Sequence, residues 1–205
     1  MNIIVDAFGG DNSLNEAVTG SVQAVDEFDI DVTLVGNEME IVKELDKVGY
    51  KGSRVHVIRA EESITNDDSP SMAIRRKKNS SMVIGLNYLN NGNGDAFISA
   101  GNTGALLAGG IFIVKRIENI ERAAIASVYP TNKGISLLLD AGANMDCKPL
   151  YLKQFAIMGS IYAEKVLGIS SPKVGLVNVG IEAEKGNTLV KEAHTLIEDA
   201  NLNYI

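Results

Sequence analysis

The sequence predicts an α/β fold, a three-layer α/β/α arrangement around a mostly parallel, mixed sheet. Three observations carry this expectation. Short apolar runs rich in Ile and Val alternate with longer runs of helical period. Glycine with small polar residues closes one short run after another, as strand-to-helix turns require. One short polar turn, PTNKG, separates two strand-like runs at the spacing of an antiparallel hairpin.

In chain order, residues 2–7 read as a buried strand that ends in GGD. Ser13 and Glu16 make a capping-box pattern that opens a helix to Phe28. Residues 31–36 are the second strand, and 38–48 a helix with Ile41, Val42, Leu45 and Val48 assigned to one face. Residues 54–60 form the third strand. The polar loop EESITNDDSP then leads to a helix from Ser71 that re-forms after Asn79 and Ser80. Residues 95–100 are a strand, followed by an apolar helix after Gly104, and 125–129 and 135–140 make the hairpin. Pro149 suits the first turn of a helix to Leu167, where a missing N–H costs nothing. Residues 174–179 are a strand, 188–200 a helix, and 203–205 the beginning of a further strand. The expectation is a single α/β domain over 1–205, cut from a longer chain.

Composition narrows the function. With 45% hydrophobic and 22% charged residues the chain is globular, and twenty glycines against four prolines indicate tight turns rather than disorder. A net charge of −7 argues against nucleic acid as a partner and against a broadly basic membrane-binding face. One cysteine excludes an intrachain disulfide and fits a reducing compartment. The apolar stretches are too short to span a membrane, and MNIIVDAFGG lacks the basic start of a signal peptide. The expected location is cytoplasmic.

Four strand ends share one chemistry: DAFGGDN (6–12), SAGNTGA (99–105), DAGANMDCK (140–148) and NVGIEAEKGN (178–187). Ligands of open α/β sheets bind beyond the carboxyl ends of the strands, and glycine lets backbone amides approach an anion. Turns of this kind need Gly and Asn in any case, so a single loop carries little weight. The four together, with Asp6, Asp11, Ser99, Asn102, Thr103, Asp140, Asn144, Lys148, Asn178 and Lys185, read as the walls of one crevice. No nucleotide template fits. Gly92 and Gly94 are followed by Phe97 where a dinucleotide fingerprint needs glycine, and Gly104 and Gly109 are followed by Gly110 and Ile111 where a P-loop needs Lys and Ser or Thr.

Arg75, Arg76, Lys77 and Lys78 make four consecutive cations in an acidic chain. On a continuous helix they would point almost all the way round. A solvated helix face is the plain reading; a seat for phosphate or for an acidic protein is the functional one. Cys147 has no His near it in sequence, and His56 and His194 stand apart from any cluster of ligand spacing, so these read as structural and no metal site is expected.

DAFGGD, RRKKNSSM, ISAGNTGAL, LLLDAGAN with Lys148-Pro149, and VGLVNVGIEAEKGN occur in that order along the whole chain. This set resembles the PlsX family, bacterial acyl-carrier-protein:phosphate acyltransferases of phospholipid synthesis. The resemblance implies a fold like that of isocitrate and isopropylmalate dehydrogenases and of phosphotransacetylases. It implies a reaction of acyl-ACP with inorganic phosphate to give acyl phosphate, without a cofactor. It further implies homodimers, acyl carrier protein as partner, and peripheral membrane contact through a C-terminal region that this chain lacks. Two differences stand out: the family pattern DAMGGD, then His, then Pro two residues on, is here Phe8, Asn12 and Leu14, and family members are longer.

On that resemblance, phosphate itself is the nucleophile, and no Ser or Cys need play that part. Gly9, Gly10, Gly101 and Gly104, with Ser99, Asn102 and Thr103, are expected to cradle it. Lys185 beside Gly186 is the expected cation for phosphate or the developing oxyanion, with Asn144 and Asn178 as donors. Asp6, Asp11 and Asp140 would orient loops, and Lys148 and the 75–78 run would receive phosphate or the acidic carrier. Three other readings stay open: a phosphotransacetylase-like enzyme using acyl-CoA, a non-catalytic carrier-binding fragment, and an NAD-dependent dehydrogenase, which the failed fingerprint disfavours.

Overall fold

The computed structural model describes residues 1–205 apart from 11, 12, 181, 183 and 184, and of Ser13 the backbone alone. By packing, the chain divides into two compact units, Met1–Arg116 and Ile117–Ile205; the sequence reading draws no boundary between them.

The first unit contains β1 (Asn2–Asp6), α1 (Ser13–Phe28), β2 (Asp31–Gly36), α2 (Glu38–Lys47), β3 (Val55–Arg59), α3 (Pro70–Arg76), α4 (Ser81–Asn90), β4 (Ala96–Ile98) and α5 (Thr103–Gly109). A π-helical turn, Gly110–Val114, continues α5. The sheet is wholly parallel, in the order β3-β2-β1-β4. The chain builds outward from β1 through β2 to β3, then returns to the far side of β1 as β4. Val5 pairs with Leu34 on one side and Ile98 on the other, so these strands open on a common edge. The reversal of direction between β1 and β4 is a topological switch point, where such sheets leave a crevice.

Side chains alternate across this sheet as a two-residue period demands. Val32 and Leu34 face Val18 and Val25 of α1 and Ile41 of α2. Ile4 and Val35 face the opposite side, with Ile84, Tyr88 and Leu89 of α4 packed against them. Helices therefore cover both faces, giving three layers. Ile4, Leu34, Val35 and Ile41 are fully buried, each worth about 1.5–3 kcal/mol relative to exposure. In α2 only Ile41 is buried; Val42 and Val48, expected on the same face, are exposed.

Two expectations are corrected here. The strand expected over 95–100 is only Ala96–Ile98, because Ser99 and Ala100 already belong to the turn. The helix expected to carry all four consecutive cations ends at Arg76, with Lys77 as its C-cap, and α4 starts afresh behind Ser80. Ser80 is wholly buried; its Oγ accepts from the Val83 N–H and donates to the Lys77 carbonyl.

The second unit holds β5 (Ser127–Thr131), β6 (Gly134–Leu138), α6 (Pro149–Lys165) and α7 (Thr188–Glu198). The hairpin is antiparallel, as expected, and forms its own two-stranded sheet. The strand expected over 174–179 is not formed. Among the described residues only Val174 bridges, in parallel, to Tyr204, while Val177 and Val179 are 81% and 85% exposed. The run has strand composition, but a strand exists only where a neighbour takes its backbone groups. No described helix is long and apolar enough to cross a membrane.

Candidate functional site

Asp6 ends β1 and Ser99 follows β4, so the pairing of these strands sets the two residues across the switch point. Ser99 Oγ donates to Asp6 Oδ2 (2.8 Å) and accepts from the Gly101 N–H (3.2 Å), while the Phe8 N–H donates to Asp6 Oδ1 (3.2 Å). Asp6 is buried, and these bonds replace the water it has lost. Gly9 lies directly on the pair: a Cβ there would stand 2.6 Å from Ser99 Oγ and 2.7 Å from Asp6 Oδ2. Gly101 packs against Gly9, and Gly10 has a φ of +108°, open to glycine alone at little cost. The two glycine loops of the first unit are thus joined backbone to backbone. Asp11 lies outside the described residues.

Asn102 is the N-cap of α5. Its Oδ1 accepts from the Ala105 N–H (2.9 Å), and its Nδ2 donates to the carbonyls of Thr65 (3.0 Å) and Asp68 (3.1 Å). Both amide hydrogens are therefore committed, as is the single hydroxyl hydrogen of Ser99. The sequence reading gave these side chains to an anion; here they shape the loop instead. The Thr103 hydroxyl has no partner among the described residues, and the N–H groups of Thr103 and Gly104 lack intrahelical acceptors by position. Gly104 packs on Pro70, its ideal Cβ 2.7 Å from the ring.

The four consecutive cations do not act as one face. Arg75 lies over the Phe112 ring (5.3 Å), Lys78 Nζ donates to the Ile74 carbonyl (3.3 Å), and Arg76 is exposed. Lys77 Nζ reaches Asp68 Oδ2 (2.6 Å) and the Ser63 carbonyl (3.0 Å). That ammonium, then the Thr65 N–H, holds the Asp68 carboxyl below its ordinary range. The sequence reading placed 61–70 as a polar loop ahead of a helix but did not single out Thr65 and Asp68 within it. Its Thr-Asn-Asp-Asp-Ser-Pro composition was the available signal for a closed polar turn ahead of a helix.

In the second unit, Asp140 Oδ1 accepts from the Ile125 N–H (2.8 Å) and Oδ2 from the Asn144 N–H (2.7 Å) and Nδ2 (3.2 Å). Asn144 Nδ2 also donates to the Ala123 carbonyl (2.9 Å), which uses its remaining hydrogen. Asn178 Nδ2 donates to the Lys185 carbonyl (3.2 Å), and Gly186, with φ +89°, would collide with Asn178 if it had a side chain. The ammonium of Lys185 has no ion-pair partner among the described residues, and the residue is exposed. Lys148 caps α6 and lies 5.8 Å from the Tyr151 ring, with Arg122 at 5.6 Å from the same ring. Burial, then the Asp140 charge, pushes the Cys147 thiol up, which removes it as a ready nucleophile at neutral pH. No group of three or more His, Cys, Asp or Glu among the described residues could hold a metal ion.

The chain matches the model of a fatty acid synthesis protein family over residues 1–205. It is 54% identical over 204 residues to a phosphate acyltransferase of Alkaliphilus oremlandii, covering 100% of this chain and 61% of that protein. To the phosphate acyltransferase of Clostridioides difficile it is 46% identical over 206 residues, with coverage of 100% and 61%. The chain thus spans about three fifths of the length of the curated relatives it matches. Among solved structures it is similar to a phosphotransacetylase from Streptococcus pyogenes, at TM-score 0.76 and 17% identity over 100% of this chain and 67% of that one. It is also similar to the EutD phosphotransacetylase from Staphylococcus aureus, at TM-score 0.71 and 18% identity, with the same coverage. Those two likenesses speak to the fold. The motifs at the strand ends and the match along the entire chain together place this protein in the fatty acid synthesis protein family, the PlsX family.

Proposed function

We propose that this chain serves an acyltransferase that moves a fatty acyl group from acyl carrier protein to inorganic phosphate, giving an acyl phosphate for phospholipid synthesis. The observation that carries the reading is the pair of glycine loops, 7–10 and 99–104, fastened together at the β1/β4 switch point. An anion in that crevice meets unused backbone N–H groups and the Thr103 hydroxyl rather than a nucleotide fingerprint. Relatives named phosphate acyltransferase support the reaction class.

In this reading an oxygen of phosphate attacks the thioester carbonyl carbon, a C–O bond forms, the C–S bond breaks, and the carrier thiolate leaves and takes up a proton. The loops hold phosphate in line. The assignment of Lys185 as the cation for phosphate or the oxyanion rests on the sequence motif alone. Asn144 and Asp140 hold the 140–148 loop in shape. Arg76, exposed beside the other basic side chains, is offered to the acidic carrier.

The test is phosphate-dependent loss of thioester from acyl carrier protein in the intact protein, with Lys185→Ala and Thr103→Ala beside it. Each variant is expected to lose about a hundredfold in turnover or more. Near-normal turnover in both, with the fold retained, rejects the site. Equal use of acyl-CoA points instead to a phosphotransacetylase-like donor. Carrier binding without acyl phosphate points to a non-catalytic role.

A further inference from the structure

Lys77 is turned into the protein, and its contacts lead to the phosphate loop. Its Nζ donates to Asp68 Oδ2 (2.6 Å) and the Ser63 carbonyl (3.0 Å). The same Asp68 oxygen accepts the Thr65 N–H (2.8 Å) and hydroxyl (3.2 Å), and the Asp68 N–H donates to the Thr65 carbonyl (3.2 Å), closing a four-residue turn. The closed turn brings the carbonyls of Thr65 and Asp68 together, and Asn102 Nδ2 donates to both. Asn102 Oδ1 in turn caps the Ala105 N–H. A continuous hydrogen-bonded path thus runs from Lys77 through Asp68 and Asn102 to the first turn of α5. Apolar contacts fasten the same strap at both ends. Ile64 is buried in one cluster with Ala73, Ile74 and Met82, and Pro70 packs on Gly104.

We infer that Lys77 and Asp68 are positioning residues for the 99–104 loop, acting through Asn102, and do not themselves meet the substrate. The inference rests on the proposed reading of that loop as the phosphate cradle. A cradle works only if its donors stay within a fraction of an ångström of the productive geometry. Asn102 can hold the loop only while both of its carbonyl partners stay in place, and polar bonds close the turn that presents them. The Lys77 ammonium is the cation that completes those bonds, on the Asp68 carboxylate.

Direct contact between Lys77 and phosphate would give one variant the opposite sign, and this makes the test decisive. In the intact protein, Asp68→Asn, Lys77→Met and the double variant are compared for the KM of inorganic phosphate, the KM of the acyl thioester, and kcat. Positioning gives about a tenfold rise in the phosphate KM in each single variant. It gives no further rise in the double variant, an unmoved thioester KM, and recovery in Lys77→Arg. Lys43→Met, which removes an exposed cation of α2, stays at the wild-type value. If Lys77 met phosphate directly, Asp68→Asn would free it and lower the phosphate KM. That result, or an unchanged phosphate KM in Lys77→Met, overturns the inference. Lys77→Met, at a partly exposed position, keeps the comparison open if Asp68→Asn does not fold. Failure of the underlying reading shows separately, as wild-type protein without phosphate-dependent thioester cleavage. Hydrogen exchange then decides: the Thr65 and Ala105 amides exchange faster in Asp68→Asn if the path holds, and unchanged rates refute it.

Discussion

Gly9→Ala is the sharpest probe of the β1/β4 crevice. An alanine Cβ at this position would stand 2.6 Å from Ser99 Oγ, 2.7 Å from Asp6 Oδ2 and 3.0 Å from the Gly101 N–H. Real Cβ atoms do not come so near, and none of the three is the end of a long flexible side chain. The Ser99 hydroxyl must leave Asp6 or the two loops must part. Overpacking of this kind costs about 1–3 kcal/mol, and a buried carboxyl that loses its donor adds about 1–3 kcal/mol. We expect a loss of about 2–6 kcal/mol in urea unfolding with the slope unchanged, or roughly 4–24 °C in Tm for a chain of this size. Gly20→Ala is the matched control. It lies exposed within α1 with no atom in reach of its Cβ, so the same substitution should stabilise by about 0.5–1 kcal/mol. Gly9→Ala within about 0.5 kcal/mol of wild type would refute the close approach of the two loops.

Three further outcomes follow from single contacts. Ser80→Ala removes the cap of α4 and should cost about 1 kcal/mol, with faster hydrogen exchange at Val83, the amide it caps; unchanged exchange would show that the cap does not hold. Cys147, its thiol raised by burial and by Asp140, should react with iodoacetamide at neutral pH more slowly than a free cysteine thiol, and an equal rate would contradict its setting. The Asp68 carboxyl is held below its ordinary value of 3.8, so the stability it adds is present above that pH and is lost as pH falls through the lowered folded value. Wild type and Asp68→Asn should therefore differ in stability near neutral pH and converge in acid; a constant difference would contradict the Lys77 ion pair.

The β1–α1–β2–α2–β3 series was legible because each strand there is central or has a covered face, so apolar periodicity reports burial directly. The run 174–179 has the same composition and failed as a strand because composition cannot supply a hydrogen-bonding neighbour. The glycine loops were legible as loops by recurrence, and the two of the first unit meet at the β1/β4 switch point. What each side chain does in them was not legible: Ser99 and Asn102 look like anion donors in sequence, and only coordinates show where their hydrogens go. The partners that take them, Asp6 and the 65–68 turn, lie 93 and 34–37 positions away, beyond the reach of any local pattern.

The four consecutive cations show how strongly the same letters depend on where a helix ends. On a continuous helix they form a solvated ring of charge. With the helix stopped at Arg76, Lys77 becomes its C-cap, and its long stem turns back along the strap toward Asp68. Ser80 accounts for the stop: buried, with its hydroxyl on the Lys77 carbonyl and the Val83 amide, it ends one helix and starts the next. If so, the geometry of the 99–104 loop depends on a serine that is itself wholly buried. Ser80→Ala, which shortens the side chain without adding bulk, should then raise the phosphate KM as well as lower stability, whereas Ser80→Thr, which keeps the hydroxyl, should spare the KM more than the stability.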